Sequence, residues 1–209
     1  MTSNQNRFKP VCDGQCTRRS FILKSICTSI GVAFSTNLLL AGSSKYINGR
    51  KQEDETTTEL DELVDKYFPI FGTCSQTSFY ALNKVFNINA EEFVKSLVSM
   101  PGIALRGETC GAVTGSLLAI AMVYEEDIFD EERKRLSRQP SYSFCSQFEN
   151  IFGSTRCRDV IENVTGKKYN VNKPEDYEML GSEDVYKHCP AIIKEAVHIA
   201  AKLILKKTG

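Results

Sequence analysis

The chain has 209 residues, of which 42% are hydrophobic, and this length suffices for one domain with a sizeable core. Its formal charge is zero, but residues 1–43 hold five basic residues and one acidic residue, so the remainder carries 21 Lys and Arg against 25 Asp and Glu. This mildly acidic body, without a basic patch interleaved with aromatic residues, argues against a nucleic-acid partner. Eight cysteines stand against two histidines, so any metal chemistry must rely on thiolates.

The first 43 residues are predicted to be an export signal. Thr17-Arg-Arg-Ser-Phe-Ile-Leu-Lys24 fits the twin-arginine pattern, and an uncharged stretch follows from Ser25 to Ser44. Ala41-Gly-Ser43 is typical of a small-residue cleavage site. The alternative is a retained anchor helix, since about 20 residues can span a bilayer, and this would associate the chain with a membrane. We expect an extracytoplasmic location, and we exclude the cysteines in or before this segment from the site: Cys12, Cys16 and Cys27.

Residues 44–57 are polar and are predicted to be a linker, with the domain proper over residues 58–209. The apolar spacing after Thr58 predicts a first helix that ends at Pro69. A second helix opens at Cys74, and Ala90–Val98 forms a short third one. A glycine-containing loop over residues 102–109 then leads to a long apolar helix that ends at Tyr124, with Thr109 as its N-cap and Cys110 in its first turn.

The second half of the chain also has a helical pattern. A charged helix over 125–138 is predicted to end at Pro140, and another follows over Ser143–Phe152. A helix opening at Cys157 ends at Gly166, residues 167–184 form a polar loop, and Cys189 precedes a strong final helix. No stretch alternates like a strand. The sequence therefore predicts an all-α, single helical-bundle-like domain of about seven helices after the export signal.

Gly111 and Gly115 interrupt the start of the long apolar helix. Each costs about 1 kcal/mol against Ala in a helix, so we expect them to permit a close approach. They would leave room for a neighbouring helix, or bind a bulky cofactor beside the Cys110 sulfur. The simpler alternative is a crossing of small residues around a buried, inert cysteine.

Four cysteines share one kind of position, at the N-terminal end of a predicted helix: Cys74, Cys110, Cys157 and Cys189. The unpaired N–H groups there favour an anion, so we expect lowered pKa values and thiolates that can bind metal. Cys145 falls inside its predicted helix and is left out. Three uses of the four cysteines remain open: an iron–sulfur cluster, a closed zinc site and two disulfides. From the residues alone, disulfides rank first, because an oxidising compartment keeps them formed.

The order of these motifs resembles a known family of redox-active proteins. Phe71-Gly-x-Cys74, Gly107-x-x-Cys110-Gly-Ala-x-x-Gly115, Phe152-Gly-x-x-x-Cys157 and Cys189 are similar to its C–GCAxxG–C–C pattern, which is related to the cysteine-bearing part of split-Soret cytochromes c. The resemblance implies that these four cysteines form a redox site, with an iron–sulfur cluster as its expected cofactor and zinc or no metal as alternatives. It implies electron transfer with a redox partner, and a homodimer would fit it.

The resemblance does not extend to haem. No Cys-x-x-Cys-His motif occurs, so the haem function of the cytochromes is not expected here. No catalytic residue is assigned. Two further hypotheses stay open: a disulfide-stapled binding protein, and a metal-free thiol–disulfide oxidoreductase in which Cys110 attacks.

Overall fold

The fold is all-α, as predicted. The computed structural model describes residues 37–124, 130–168, 175, 178 and 182–208, so the predicted twin-arginine motif lies outside the described residues. Seven α-helices lie within them, accompanied by a 3-10 helix over Glu91–Leu97: α1 (Asn37–Phe71), α2 (Cys74–Val85), α3 (Gly111–Tyr124), α4 (Glu131–Phe152), α5 (Cys157–Thr165), α6 (Glu183–Tyr186) and α7 (Cys189–Thr208). Among these residues there is no β-strand, and the only extended pairing is an isolated bridge between Thr109 and Arg156.

Helix α1 begins at Asn37, well before the expected start near Thr58. It runs without a break through residues 44–57, so the expectation of an irregular linker there is wrong for the backbone. A polar composition suits a linker and a solvated helix equally well, because neither buries a side chain. Thr57 and Thr58 both donate hydrogen bonds back to the carbonyl of Asp54, as helical hydroxyls do. None of the described helices is both long and apolar enough to cross a membrane.

The core lies between α2, α3 and α7, which pack on one another. Helix α1 covers α2 and α7, and α4 covers α3 and α7. On α1 the buried side chains are Leu60, Val64 and Phe68, four residues apart, so one stripe of the helix faces the bundle. Helix α3 is apolar on nearly every side because helices flank it on more than one face. It is the element around which the bundle is built.

Polar contacts align α1 with α7. His198 lies 2.7 Å from the Asp61 carboxylate, and Lys194 lies 2.8 Å from Asp65. One turn further along α7, Lys202 lies 3.3 Å from Glu53. Such exposed pairs contribute little free energy, about 0–1 kcal/mol each. Their regular spacing orients the two helices along each other, which fixes the position of the N-terminus of α7.

Helix α4 is one continuous helix and not the two that were predicted. Pro140 lies inside it and does not end it. Proline has no N–H group, so the carbonyl four residues earlier, that of Leu136, loses its helical hydrogen bond. Leu136 is 50% exposed, so water can donate to this carbonyl instead. Further along the same helix, the Phe144 and Phe148 rings stack 6.1 Å apart and both are fully buried, and this burial holds the second half of α4 on the bundle.

The 3-10 helix covers the first turn of α2. Ser75 donates its hydroxyl hydrogen to the Leu97 carbonyl at 2.7 Å, and the Gln76 amide donates to the Val94 carbonyl at 3.0 Å. A short helix was predicted at this place, and its 3-10 geometry brings two carbonyls to polar side chains of α2. Water is thereby kept from one side of the N-terminus at which Cys74 lies.

Candidate redox site

Each of the four predicted site cysteines lies at the start of an α-helix. Cys74, Cys157 and Cys189 are the first residues of α2, α5 and α7, and Cys110 directly precedes α3. Cys145 lies within α4, as predicted. The four helix starts meet at one end of the bundle, where the thiols of Cys74, Cys110, Cys157 and Cys189 interact electrostatically with one another.

Two Phe-Gly turns direct the chain towards this end. Gly72 and Gly153 both have positive φ angles, +64° and +76°, and their N–H groups donate to carbonyls four residues earlier. Only glycine adopts this left-handed backbone without strain, so each Phe-Gly pair ends a helix sharply. Cys74 and Cys157 follow within a few residues and open the next helices. The same local signal, a Phe-Gly pair that ends one helix, therefore positions two of the four cysteines at the start of the next.

The segments before Cys110 and Cys157 pair with each other. The N–H of Cys110 donates to the Thr155 carbonyl at 2.9 Å, and the N–H of Cys157 donates to the Glu108 carbonyl. These reciprocal bonds surround the bridge between Thr109 and Arg156. Thr109 thus serves this bridge and does not act as the predicted N-cap. The pairing holds two cysteines that are 47 positions apart in sequence side by side.

Glycines allow the helix starts to approach closely. A Cβ atom on Gly111 would lie 3.0 Å from the Cβ atom of Cys74, and one on Gly102 would lie 3.5 Å from that of Cys157. A Cβ atom on Gly115 would overlap the Ser78 hydroxyl and the backbone of α2. Gly111 and Gly115 therefore allow α3 to cross α2 closely, which confirms the close approach. Atoms of α2 occupy the space beside Gly115, and the contact of Gly111 and Gly115 with a cofactor stays a prediction.

Cys74 and Cys189 form a pair of interacting thiols. The Cys74 thiol donates a hydrogen bond to the Cys189 sulfur, which raises the pKa of Cys74 well above its usual value, with burial as a second cause. The same bond lowers the pKa of Cys189, against the opposing effect of burial. The Cys189 sulfur also lies 3.9 Å from the Val185 carbonyl. The two thiols are thus shifted in opposite directions by one contact between α2 and α7.

The other two thiols are held neutral, which corrects the expectation of thiolates at every helix start. Burial raises the pKa of Cys110 to about 12, although the backbone N–H groups of Ala112 and Val113 lower it in part. Burial also raises the pKa of Cys157 well above its usual value, and the nearby thiols Cys110 and Cys189 add to this. Desolvation therefore outweighs the helix N-terminus where no cation is present.

A tyrosine that the sequence did not single out lies beside the thiols. The Tyr186 ring packs 5.2 Å from that of Phe68, and burial together with Cys74 and Cys189 raises the pKa of its hydroxyl to about 12. Tyr186 lies two residues after the stretch predicted to be a polar loop. Its position three residues before Cys189, one helical turn away, was the one available signal.

The loop predicted over residues 102–109 contains a left-handed turn. Gly102, Ile103, Ala104 and Leu105 all have φ angles between 47° and 61°. Residues other than glycine lose roughly 1–2 kcal/mol each in this conformation. The turn is nevertheless held, because the N–H groups of Ala104 and Leu105 donate to the carbonyls of Ser99 and Pro101. It forms one wall of the site next to Cys157.

Comparison with known proteins agrees with this arrangement of cysteines. The sequence model of a family described as "Putative redox-active protein (C_GCAxxG_C_C)" matches residues 72–203, which include all four thiols. The chain belongs to this family. No curated protein and no solved structure matches the chain in the corresponding comparisons, and the relation to split-Soret cytochromes stays a prediction.

The family match extends from the turn before Cys74 through about three quarters of α7. The family name spells Gly-Cys-Ala, whereas this chain reads Cys110-Gly-Ala112. The structure gives this order a physical reason, since Gly111 is the residue that faces Cys74 and Cys110 is the residue that faces the Thr155 segment.

The described cysteines are all free thiols. Within the described part of the chain, no three or more His, Cys, Asp or Glu side chains are grouped so as to hold one metal ion. The four site cysteines are nevertheless close enough to interact electrostatically. A donor set made of sulfur alone is the one that iron–sulfur clusters and thiolate zinc sites use.

Proposed function

We propose that this redox-active family member is an exported electron-transfer protein whose four cysteines hold an iron–sulfur cluster. The observation that carries the proposal is the convergence of Cys74, Cys110, Cys157 and Cys189 from four helix starts. Four thiolates are the usual ligands of such clusters. When bound, a cluster accepts and releases single electrons.

The residues of the chain prepare the site for an anionic, electron-storing group. The backbone N–H groups of Ala112 and Val113 lower the pKa of Cys110 in part, so they stabilise negative charge on its sulfur. Helix α3 and the 3-10 helix keep water from the site, with Cys110 only 4% and Cys189 only 7% exposed. Hydrogen bonds to sulfur and low solvent exposure are the properties that set a reduction potential.

A closed zinc site is the alternative group for the same four thiolates, each of which would bind the ion at about 2.3 Å. In a four-iron cluster each thiolate would instead bind a different iron atom. Both kinds of site would require deprotonation, so metal uptake should release protons and be stronger at higher pH.

A metal-free thiol–disulfide oxidoreductase is the second candidate, and the Cys74–Cys189 pair favours it. Cys189 has the lowered pKa that an attacking thiol needs, whereas the pKa of Cys110, the expected nucleophile, is raised to about 12. Cys110 is therefore replaced by Cys189 in this hypothesis. The 7% exposure of Cys189 leaves little room for a protein substrate, which is why this candidate ranks second.

The test is the visible spectrum, iron content and sulfide content of the full chain purified without oxygen. We expect charge-transfer absorption at roughly 320–450 nm with iron and sulfide in similar amounts. Changing Cys74, Cys110, Cys157 or Cys189 to Ser should abolish the absorption, and Cys145→Ser is the matched control that should keep it. A wild-type protein that is colourless, with one zinc ion or with two disulfides, would overturn the proposal.

A further inference from the structure

Two of the four site cysteines are partly open to solvent. Cys74 and Cys157 are partly exposed, whereas Cys110 is only 4% and Cys189 only 7% exposed. The 3-10 helix lies over the helix start that carries Cys74. Because electron transfer slows steeply with distance, an electron enters or leaves a buried centre most rapidly through the ligand nearest the surface. Cys157 is therefore the site cysteine that a partner reaches most directly.

The turn beside Cys157 presents apolar side chains to solvent. A Cβ atom on Gly102 would lie 3.5 Å from the Cβ atom of Cys157, so the left-handed turn that begins at Gly102 packs against this cysteine. Two large side chains of the turn, Ile103 and Leu105, are 41% and 37% exposed. Apolar side chains that stay exposed on a strained backbone indicate an interaction surface.

Three arginines lie next to this turn. Arg106 directly follows it, and Arg156 and Arg158 flank the cysteine. The N–H of Arg158 donates to the Gly107 carbonyl at 3.2 Å, so the arginines lie on two segments that pair with each other. Arg106 is exposed, and the side chains of Arg156 and Arg158 are 43% and 31% exposed. Their charges therefore reach the solvent beside Cys157.

The acidic residues of the two segments do not cancel this charge. Asp159 is shared, since its carboxylate lies 4.0 Å from the Arg156 Nε and 3.9 Å from the Arg158 Nε. Glu108 is the other acidic residue, so three arginines stand against two acids. The chain after residue 43 has the opposite balance, with 21 Lys and Arg against 25 Asp and Glu. A positive surface at the site of an otherwise acidic body favours a partner with negative charge.

We propose that these side chains form a docking surface for a redox protein that is acidic around its own redox centre: Ile103, Leu105, Arg106, Arg156 and Arg158. This proposal rests on the proposed cluster. Apolar residues beside arginines are typical of protein interfaces, in which arginine is enriched. One electron passes from the reduced partner to the oxidised site by way of Cys157, so the partner is oxidised and the site reduced, and no bond forms or breaks.

The test uses a plant-type ferredoxin as the probe, because it is a small acidic iron–sulfur protein, and ferricyanide as a small anion. The anaerobically purified full chain is compared with its Arg106→Gln and Leu105→Ser variants. Lys206→Gln is the matched control, because it removes an exposed positive charge from the last turn of α7, at the end opposite to Cys189. The measurements are the affinity for oxidised ferredoxin by calorimetry, the rate of reduction by reduced ferredoxin, and the rate of reoxidation by ferricyanide.

We expect Arg106→Gln to weaken the affinity for ferredoxin and to slow reduction by about fivefold at low salt, at unchanged iron content. This difference should disappear in 0.5 M salt, where charges at the surface are screened. Leu105→Ser should weaken the affinity for ferredoxin at both salt concentrations and leave the ferricyanide rate unchanged, and Lys206→Gln should behave as the wild type.

Three results would overturn the docking surface and leave the cluster standing. The first is a wild-type chain that contains iron and sulfide but does not bind the ferredoxin at low salt. The second is an equal effect of Arg106→Gln and Lys206→Gln, which would mean that only the total charge matters. The third is an effect of Arg106→Gln on the ferricyanide rate with none of Leu105→Ser on ferredoxin, which would indicate a site for small anions. A wild-type chain without iron and sulfide would overturn the proposed function and this proposal together.

Discussion

Replacing Gly115 with alanine tests whether the crossing of α2 and α3 positions the site. The new Cβ atom would overlap the Ser78 hydroxyl and the Ser75 carbonyl, and would lie 3.0 Å from the Phe79 nitrogen. Two of these three atoms belong to the backbone of α2, so a rotamer change cannot relieve the overlap. The two helices must separate, and a gap of about 0.5–1 Å forfeits a quarter to a half of the dispersion energy of each contact that it opens.

The expected loss of stability follows from two opposing effects. Overpacking of this kind costs about 1–3 kcal/mol, and a backbone overlap places Gly115→Ala in the upper half of that range. The change from glycine to alanine within a helix returns about 1 kcal/mol. The net loss should therefore be about 1–2 kcal/mol. Because Cys74 begins α2 and Cys110 precedes α3, the same separation should also lower the iron content.

Urea unfolding followed by circular dichroism measures the first effect, and iron analysis of the same samples measures the second. The double variant Gly115→Ala/Ser78→Ala is the control, because it removes the side-chain overlap and keeps the two backbone overlaps. It should recover stability only in part. The reasoning would be refuted if Gly115→Ala were as stable as the wild type and bound as much iron.

Three further predictions concern the left-handed turn, the buried thiols and the signal. Ala104→Gly should stabilise the full chain by about 1 kcal/mol, because Ala104 has a φ angle of +56° and glycine adopts this conformation without strain. The control Ala121→Gly, on the exposed face of α3, should destabilise the chain by about 0.5–1 kcal/mol. If both variants were equally destabilised in thermal unfolding, the left-handed turn would be contradicted. The metal-free chain should lose stability as the pH rises from about 9 towards 12. In this range the unfolded chain releases the Cys110 proton, whereas the folded chain keeps it because burial raises the pKa of Cys110 to about 12. The free energy of unfolding should fall by up to about 1.4 kcal/mol per pH unit for each buried thiol. Urea midpoints measured against pH check this, and an equally steep decline in Cys110→Ser would speak against it. Arg18→Lys with Arg19→Lys should block export in a bacterium with a twin-arginine translocase, as cell fractionation measures; unchanged export would contradict the signal.

Local patterns in the sequence were enough to predict the all-α fold and to place four cysteines at helix starts. Apolar spacing predicted the buried stripe at Leu60, Val64 and Phe68, because helical periodicity is a property of neighbouring residues. The placement of the cysteines at helix starts followed from glycine and proline signals nearby. Where local signals are ambiguous the predictions failed: residues 44–57 are helical, and Pro140 lies within one helix.

What the sequence by itself determined is that this is an all-α chain of the redox-active family with four cysteines at helix N-termini. Only the tertiary structure decided the pKa values of those thiols and which of them contact one another. Their pKa values depend on burial, and desolvation at Cys110 exceeds the effect of the helix start, which no local pattern can indicate. The hydrogen-bonded pair of Cys74 and Cys189 and the place of Tyr186 join residues that are more than 100 positions apart, so they arise only when α2 and α7 pack together.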